Sequence, residues 1–136
     1  MNNRSIVFPQ IVKGSFTAAD NSLKDVTQEF AITKGNRIKV DLLLTARSAS
    51  GSSTISLYAG DHLDPTTGAR LYKLIDSVTV DNTNPSSVPD TVSIRLNVET
   101  TTDQVKFPLP SHGIIRAQSD GTATMTIAKV SVLQEN

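Results

Sequence analysis

Two histidines, His62 and His112, are the first places to look for acid–base chemistry, because no cysteine is present to share the task. His62 stands in "GDHLD", where Asp61 and Asp64 add carboxylates to the imidazole and make a donor set that a divalent ion can use. The same residues followed by Pro-Thr-Thr-Gly are also what an ordinary loop uses, and no cluster elsewhere completes the set. The expectation is therefore no metal. His112 follows Ser111 in "PSHG", but adjacent residues cannot hold nucleophile and base in line without a strained turn, and no G-x-S-x-G elbow is present. "KGNR" and "SASGSS" lack the lysine and hydroxyl of a phosphate cradle. No catalytic residue and no cofactor is expected, so the reading is of a protein that is not an enzyme. An enzyme whose site the sequence hides is the weakest of its rivals.

Tyr58 and Tyr72 are the residues suited to stacking on a sugar ring, and β-sandwiches do host carbohydrate-binding modules. Tyr58 falls on the polar side of its strand and is the candidate for a surface contact. Tyr72 falls on the apolar side of "LYKLIDSVTV", which predicts core packing.

Thirteen basic and thirteen acidic residues cancel, and neither sign gathers into a run. A surface for phosphate backbones needs concentrated Lys and Arg, so nucleic acid is not the expected partner. Zero net charge also does little to hold copies apart, which suits a component of an assembly. The N-terminal "MNNRSIVFPQIV" has an apolar run too short for a signal-peptide core or a bilayer span, and no membrane is expected. The length fits one domain, large enough to bury its own core without disulfides.

The elements that would position these residues alternate with period two. "RIKVDLLLTAR" puts Ile38, Val40, Leu42, Leu44 and Ala46 on one face; at about 3.3 Å per residue it runs about 36 Å, long for a strand. Leu43 breaks the pattern, standing between Asp41 and Thr45 on the polar face. "VTQEFAI" aligns Val26, Phe30 and Ile32 before a turn at Gly35, and "TISLYA" aligns Ile55, Leu57 and Ala59. Tyr72, Leu74, Val78 and Val80 share a face with Asp76 as the misfit, and "TVSIRLNV" turns Val92, Ile94, Leu96 and Val98 inward. "DNTNPSSVPD" is a loop, and the prolines of "VKFPLP" place it at an edge or a crossing. "GIIRAQ" and "TATMTIAKVSVL" read as a closing hairpin turning at Asp120-Gly121, with a bulge near Ala128 switching the inward set from Met125 and Ile127 to Ala128, Val130 and Val132. "FTAADNSLKDV" has room for a helical turn capped by Asp20 or Asn21. Seven or eight strands predict an all-β fold, a single-domain antiparallel two-sheet β-sandwich of jelly-roll-like kind.

The order of "SFTAADNSLKDV", an alternating strand, "ISLYAGD" and the closing "GIIRAQSDGTATMTIAKVSVL" resembles the small β-sandwich decoration or cement proteins on the heads of tailed bacteriophages. Ile115, Arg116, Gly121 and Thr122 to Thr124 stand where those proteins place an aromatic or aliphatic residue, an Arg, a turn and Thr-Ala-Thr. The resemblance implies a non-enzymatic virion component, assembled in a host cytoplasm, bound to the lattice of the major capsid protein and to copies of itself, with a trimer as the expected oligomer. Residues 1–12 are then an arm or a first strand ahead of a sandwich at 13–136. Ile6, Phe8 and Ile11 of that segment, with Leu43 and Tyr58, are the expected partner contacts. The alternative function is a carbohydrate-binding β-sandwich module.

Overall fold

The computed structural model describes residues 4–10, 16–18, 21–32, 37–81, 89–98 and 111–135, the first two of these as backbone. Ile11, Asp20, Gly35 and "VKFPLP" lie outside the described residues. Everything regular within them is β-structure: β1 (Arg4–Gln10), β2 (Phe16–Ala18), β3 (Lys24–Asp25), β4 (Phe30–Ala31), β5 (Arg37–Arg47), β6 (Ser52–Gly60), β7 (Lys73–Asp81), β8 (Asp90–Asn97), β9 (His112–Ser119) and β10 (Met125–Glu135).

Two antiparallel sheets result. In the first, β10 lies between β5 and an interrupted edge made of β1 and β2, and β8 closes the far side. In the second, β9 carries the short edge pieces β3 and β4, followed by β6 and β7. If each interrupted edge counts as one strand there are eight, and every connection except that from β6 to β7 crosses between sheets, which is the winding of a jelly roll. The expected closing hairpin is therefore corrected. Gly121 does make the turn, with φ of 93°, but β9 belongs to the second sheet and β10 to the first. The Asp120 carboxylate locks this corner, accepting the backbone N–H groups of Thr122, Ala123 and Ser52, and these bonds hold it below the ordinary Asp range.

Most of the residues that the alternations turn inward form the core, while Ala46, Tyr72, Leu74 and Ala128, expected inward, stay outside it. Ile38, Val40, Leu42 and Leu44 of β5 meet Ile55, Leu57 and Ala59 of β6, Leu96 of β8, Ile115 and Ala117 of β9, and Met125, Ile127, Val130 and Val132 of β10. Val92, near the start of the outer strand β8, is only partly buried. The pairing slips between Ile127 and Lys129, so Ala128 is the bulged residue that lets Ile127 and Val130 both face inward. A second slip on the same strand pair explains Ala46. Thr45 is skipped between Leu44 and Ala46, and Ala46 is turned outward instead of joining the core.

Strand β7 departs further from its pattern. Leu57 pairs with Asp76 but Tyr58 pairs with Leu74, so Ile75 is bulged; it packs against the core while Leu74 is 55% exposed. Asp76 keeps its inward phase at the sheet margin, where its carboxylate finds a backbone amide of β8. The helical turn expected in "FTAADNSLKDV" is replaced by the pairings of β2 with β10 and of β3 with β9. Strand ladders supply partners for both backbone groups of a residue, and they override a propensity signal this short.

Candidate ligand-binding face

The outer face of the second sheet gathers the chain's two tyrosines. Thr54, Ser56 and Tyr58 alternate outward along β6, next to Gln118, Arg116 and Ile114 of β9 and to Thr79, Ser77 and Leu74 of β7. At Gly60 this face is crossed by the chain. A Cβ built on Gly60 would lie 2.1 Å from the carbonyl oxygen of Leu71, so glycine alone permits the segment leading into β7 to fold over the sheet here. The returning segment closes on itself through Asp64 N–H to Ala69 C=O (2.6 Å) and Leu71 N–H to His62 C=O (2.8 Å), and Arg70 donates to the carbonyl of Asp61 at 3.2 Å.

This hairpin delivers Tyr72 to the face. Its backbone already lies over β6 at Gly60, and its hydroxyl donates to Glu29, just before β4 on the opposite margin of the sheet. Arg70 Nε stands 3.1 Å from the same Glu29 oxygen. Ile114, which faces outward from β9, is only 6% exposed under this cover. The Tyr72 hydrogen bond, with Arg70 beside it, holds the Glu29 carboxyl below its ordinary value. Desolvation, reinforced by Glu29, pushes the Tyr72 phenol up to about 12. The sequence expectation of core packing for Tyr72 is thus corrected: the bulge at Ile75 and the crossing at Gly60 put it on the outer face.

Arg116 joins the two rings. Its guanidinium carbon is 4.7 Å from the centre of Tyr58 and 5.0 Å from that of Tyr72, and its Nε donates to Asp25 Oδ1 at 2.8 Å. A partly exposed tyrosine braced by an arginine, with hydroxyl and carboxamide side chains on the strands beside it, forms a shelf walled at one end by the hairpin. Rings of this kind stack on apolar faces of a ligand while the polar neighbours meet its hydroxyls. Among solved structures the fold is similar to that of the carbohydrate-binding module CBM28, described as specific for non-crystalline cellulose, with a TM-score of 0.54 and 15% identity over 96% of this chain and 79% of that one. The likeness is one of fold. No protein-family description and no curated sequence matches the chain.

The other residues named from the sequence are dispersed. The "GDHLD" carboxylates are spent on the backbone: Asp61 accepts Ser111 N–H, and Asp64 accepts Thr66 N–H at 2.8 Å and is held below its ordinary range by it. Among the described residues no group of three or more His, Asp or Glu side chains is placed to hold a metal ion. Ser111 Oγ does lie 2.8 Å from His112 Nδ1, but it also faces the Gly60 carbonyl at 3.3 Å. A hydroxyl proton given to that carbonyl makes Nδ1 the donor to Oγ, the reverse of what a general base requires. Leu43 is half-buried on the outer face of the first sheet, with Lys129 and Thr91 as its cross-strand neighbours, so stems of its own chain flank it. Ile6 and Phe8 belong to β1, paired with β10 of the same chain, Phe8 in register with Val132. The Glu29 and Arg116 partners of the tyrosines escaped sequence reasoning, since nothing in the local pattern joins positions so far apart.

Proposed function

We propose that this chain is a non-catalytic carbohydrate-binding module whose ligand lies along the outer face of the second sheet, across the ring of Tyr58. One observation carries the reading: Tyr58 faces outward from an inner strand of that sheet, braced by Arg116 between Leu74 and Ile114, with Ser56 and Ser77 one outward position along and Thr54, Thr79 and Gln118 one further. The jelly-roll likeness to a module that binds non-crystalline cellulose supports it. Affinity electrophoresis in gels containing soluble glucans tests it. Retardation of the wild type that is lost in Tyr58→Ala is the expected result, and wild-type mobility unchanged by every polymer refutes it.

A second reading is a virion structural protein bound to a capsid lattice and to copies of itself, a trimer first among the oligomers. It is favoured by three exposed leucines around the hairpin, Leu63, Leu71 and Leu74, which a protein partner would bury. Light scattering over a range of concentrations separates the two. A stable oligomer that dissociates on Leu71→Asp but is indifferent to Tyr58→Ala supports the assembly reading.

A further inference from the structure

We infer that the pairing of Asp25 with Arg116 makes this face select uncharged saccharides and turn polyanionic ones away, an inference that rests on the saccharide reading above. The two residues stand directly opposite one another on β3 and β9. Only Arg116 Nε and Asp25 Oδ1 are engaged with each other. Among the described residues, the terminal nitrogens of Arg116 and the second oxygen of Asp25 have no hydrogen-bond partner. Asp25 is 61% exposed and the Arg116 side chain 23%.

The pair therefore presents donors and an acceptor side by side next to the Tyr58 ring. A hydroxyl is both donor and acceptor and satisfies each side of this couple, one hydroxyl accepting from the guanidinium while its neighbour gives a proton to the carboxylate. A carboxylate or sulfate only accepts. It gains the guanidinium but meets Asp25 as a like charge at close range. Among the described residues the other charges on the face are committed elsewhere: Arg70 is held by Glu29, so the two pairs sum to zero, and His112, further along β9, acts on Glu29. The guanidinium carbon lies within 5.0 Å of both ring centres, so swinging away from Asp25 to serve an anion alone also gives up these ring contacts.

Two polymers with the same backbone decide the matter: hydroxyethyl cellulose, which is neutral, and carboxymethyl cellulose, which is acidic. The wild type is expected to bind the neutral polymer about tenfold more tightly by affinity electrophoresis, and Asp25→Asn to bind the acidic one at least about fivefold better than the wild type does. Asp41→Asn makes the same charge change on the outer face of the opposite sheet, and it is expected to leave both affinities as they were. Equal wild-type binding to both polymers overturns the inference while leaving the saccharide reading in place. An identical gain for Asp25→Asn and Asp41→Asn also overturns it, since overall charge then explains the effect. Wild-type binding to neither polymer removes the saccharide reading, and the inference with it.

Discussion

Asp76 Oδ2 accepts the backbone N–H of Asn97 at 2.8 Å. Asp76 lies on β7 and Asn97 ends β8, the outer strands of opposite sheets, so one side chain bridges the layers where the backbone cannot. Arg47 strengthens the same seam, donating to the Asp81 carbonyl at 2.6 Å and standing 3.6 Å from the Asp90 carboxylate. Replacing Asp76 by Ala leaves the Asn97 amide to water and is expected to cost about 1 kcal/mol by urea unfolding. Hydrogen exchange should quicken at Asn97 while the centre of β5 stays protected. Unchanged exchange there would show that the seam holds without this bond.

Titration of the two tyrosines by their ultraviolet absorbance is expected to show one component near pH 12, assigned to Tyr72. The component should vanish in Tyr72→Phe and move down in Glu29→Gln, which removes the negative charge beside the phenol. The sign for stability follows. The Tyr72 pKa is raised on folding, so its contribution is complete below the ordinary value of 10 and is lost as pH climbs through about 12. Glu29 works in the opposite direction: its pKa is lowered, so its contribution is present above the ordinary 4.5 and disappears as pH falls through the folded value.

Gly60→Ala tests the crossing. The added methyl would meet the Leu71 carbonyl oxygen at 2.1 Å, and backbone on both sides must move. The expected outcome is a folded sandwich whose hairpin has lifted, recognised by loss of the pH 12 tyrosine component and greater exposure of Ile114. A variant that keeps that component would mean the chain crosses Gly60 less closely than described.

Packing gives a contrasting pair. Leu42, fully buried between the sheets, should cost about 2–5 kcal/mol when cut to Ala. Ser53 is almost as inaccessible, but among the described residues its hydroxyl has no hydrogen-bond partner. Ser53→Ala removes a desolvated polar group and is expected to be neutral or mildly stabilising. A large loss at Ser53 would reveal a partner for its hydroxyl.

Where one sheet face is apolar and its strand regular, the sequence already contained the answer: β5 as far as Leu44, β6 and β8 stand where their alternations put them, and the change of phase in β10 located the bulge at Ala128. Two slips had no such signature. Nothing in "LYKLIDSVTV" marks Ile75 rather than Leu74 as the residue that turns inward, because both are aliphatic and the bulge is set by the partner strand. The candidate face was half visible for the same reason. Tyr58 could be placed from its own strand, whereas Tyr72 depends on Gly60, Glu29 and Arg116, brought together only by the sheet order.

The two interrupted edges carry a consequence for how the chain is made. The pieces β1 and β2 pair with β10, and β3 and β4 pair with β9, so among the described residues these four pieces find their ladder partners in the stretch from His112 to Glu135. A chain emerging from the ribosome in order must therefore hold these four pieces unpaired until β9 and β10 have been made, while β6 and β7, joined in sequence and in space, can pair early. Until then the pieces β1 to β4 are the stretch most exposed to proteases and to mispairing between neighbouring nascent copies.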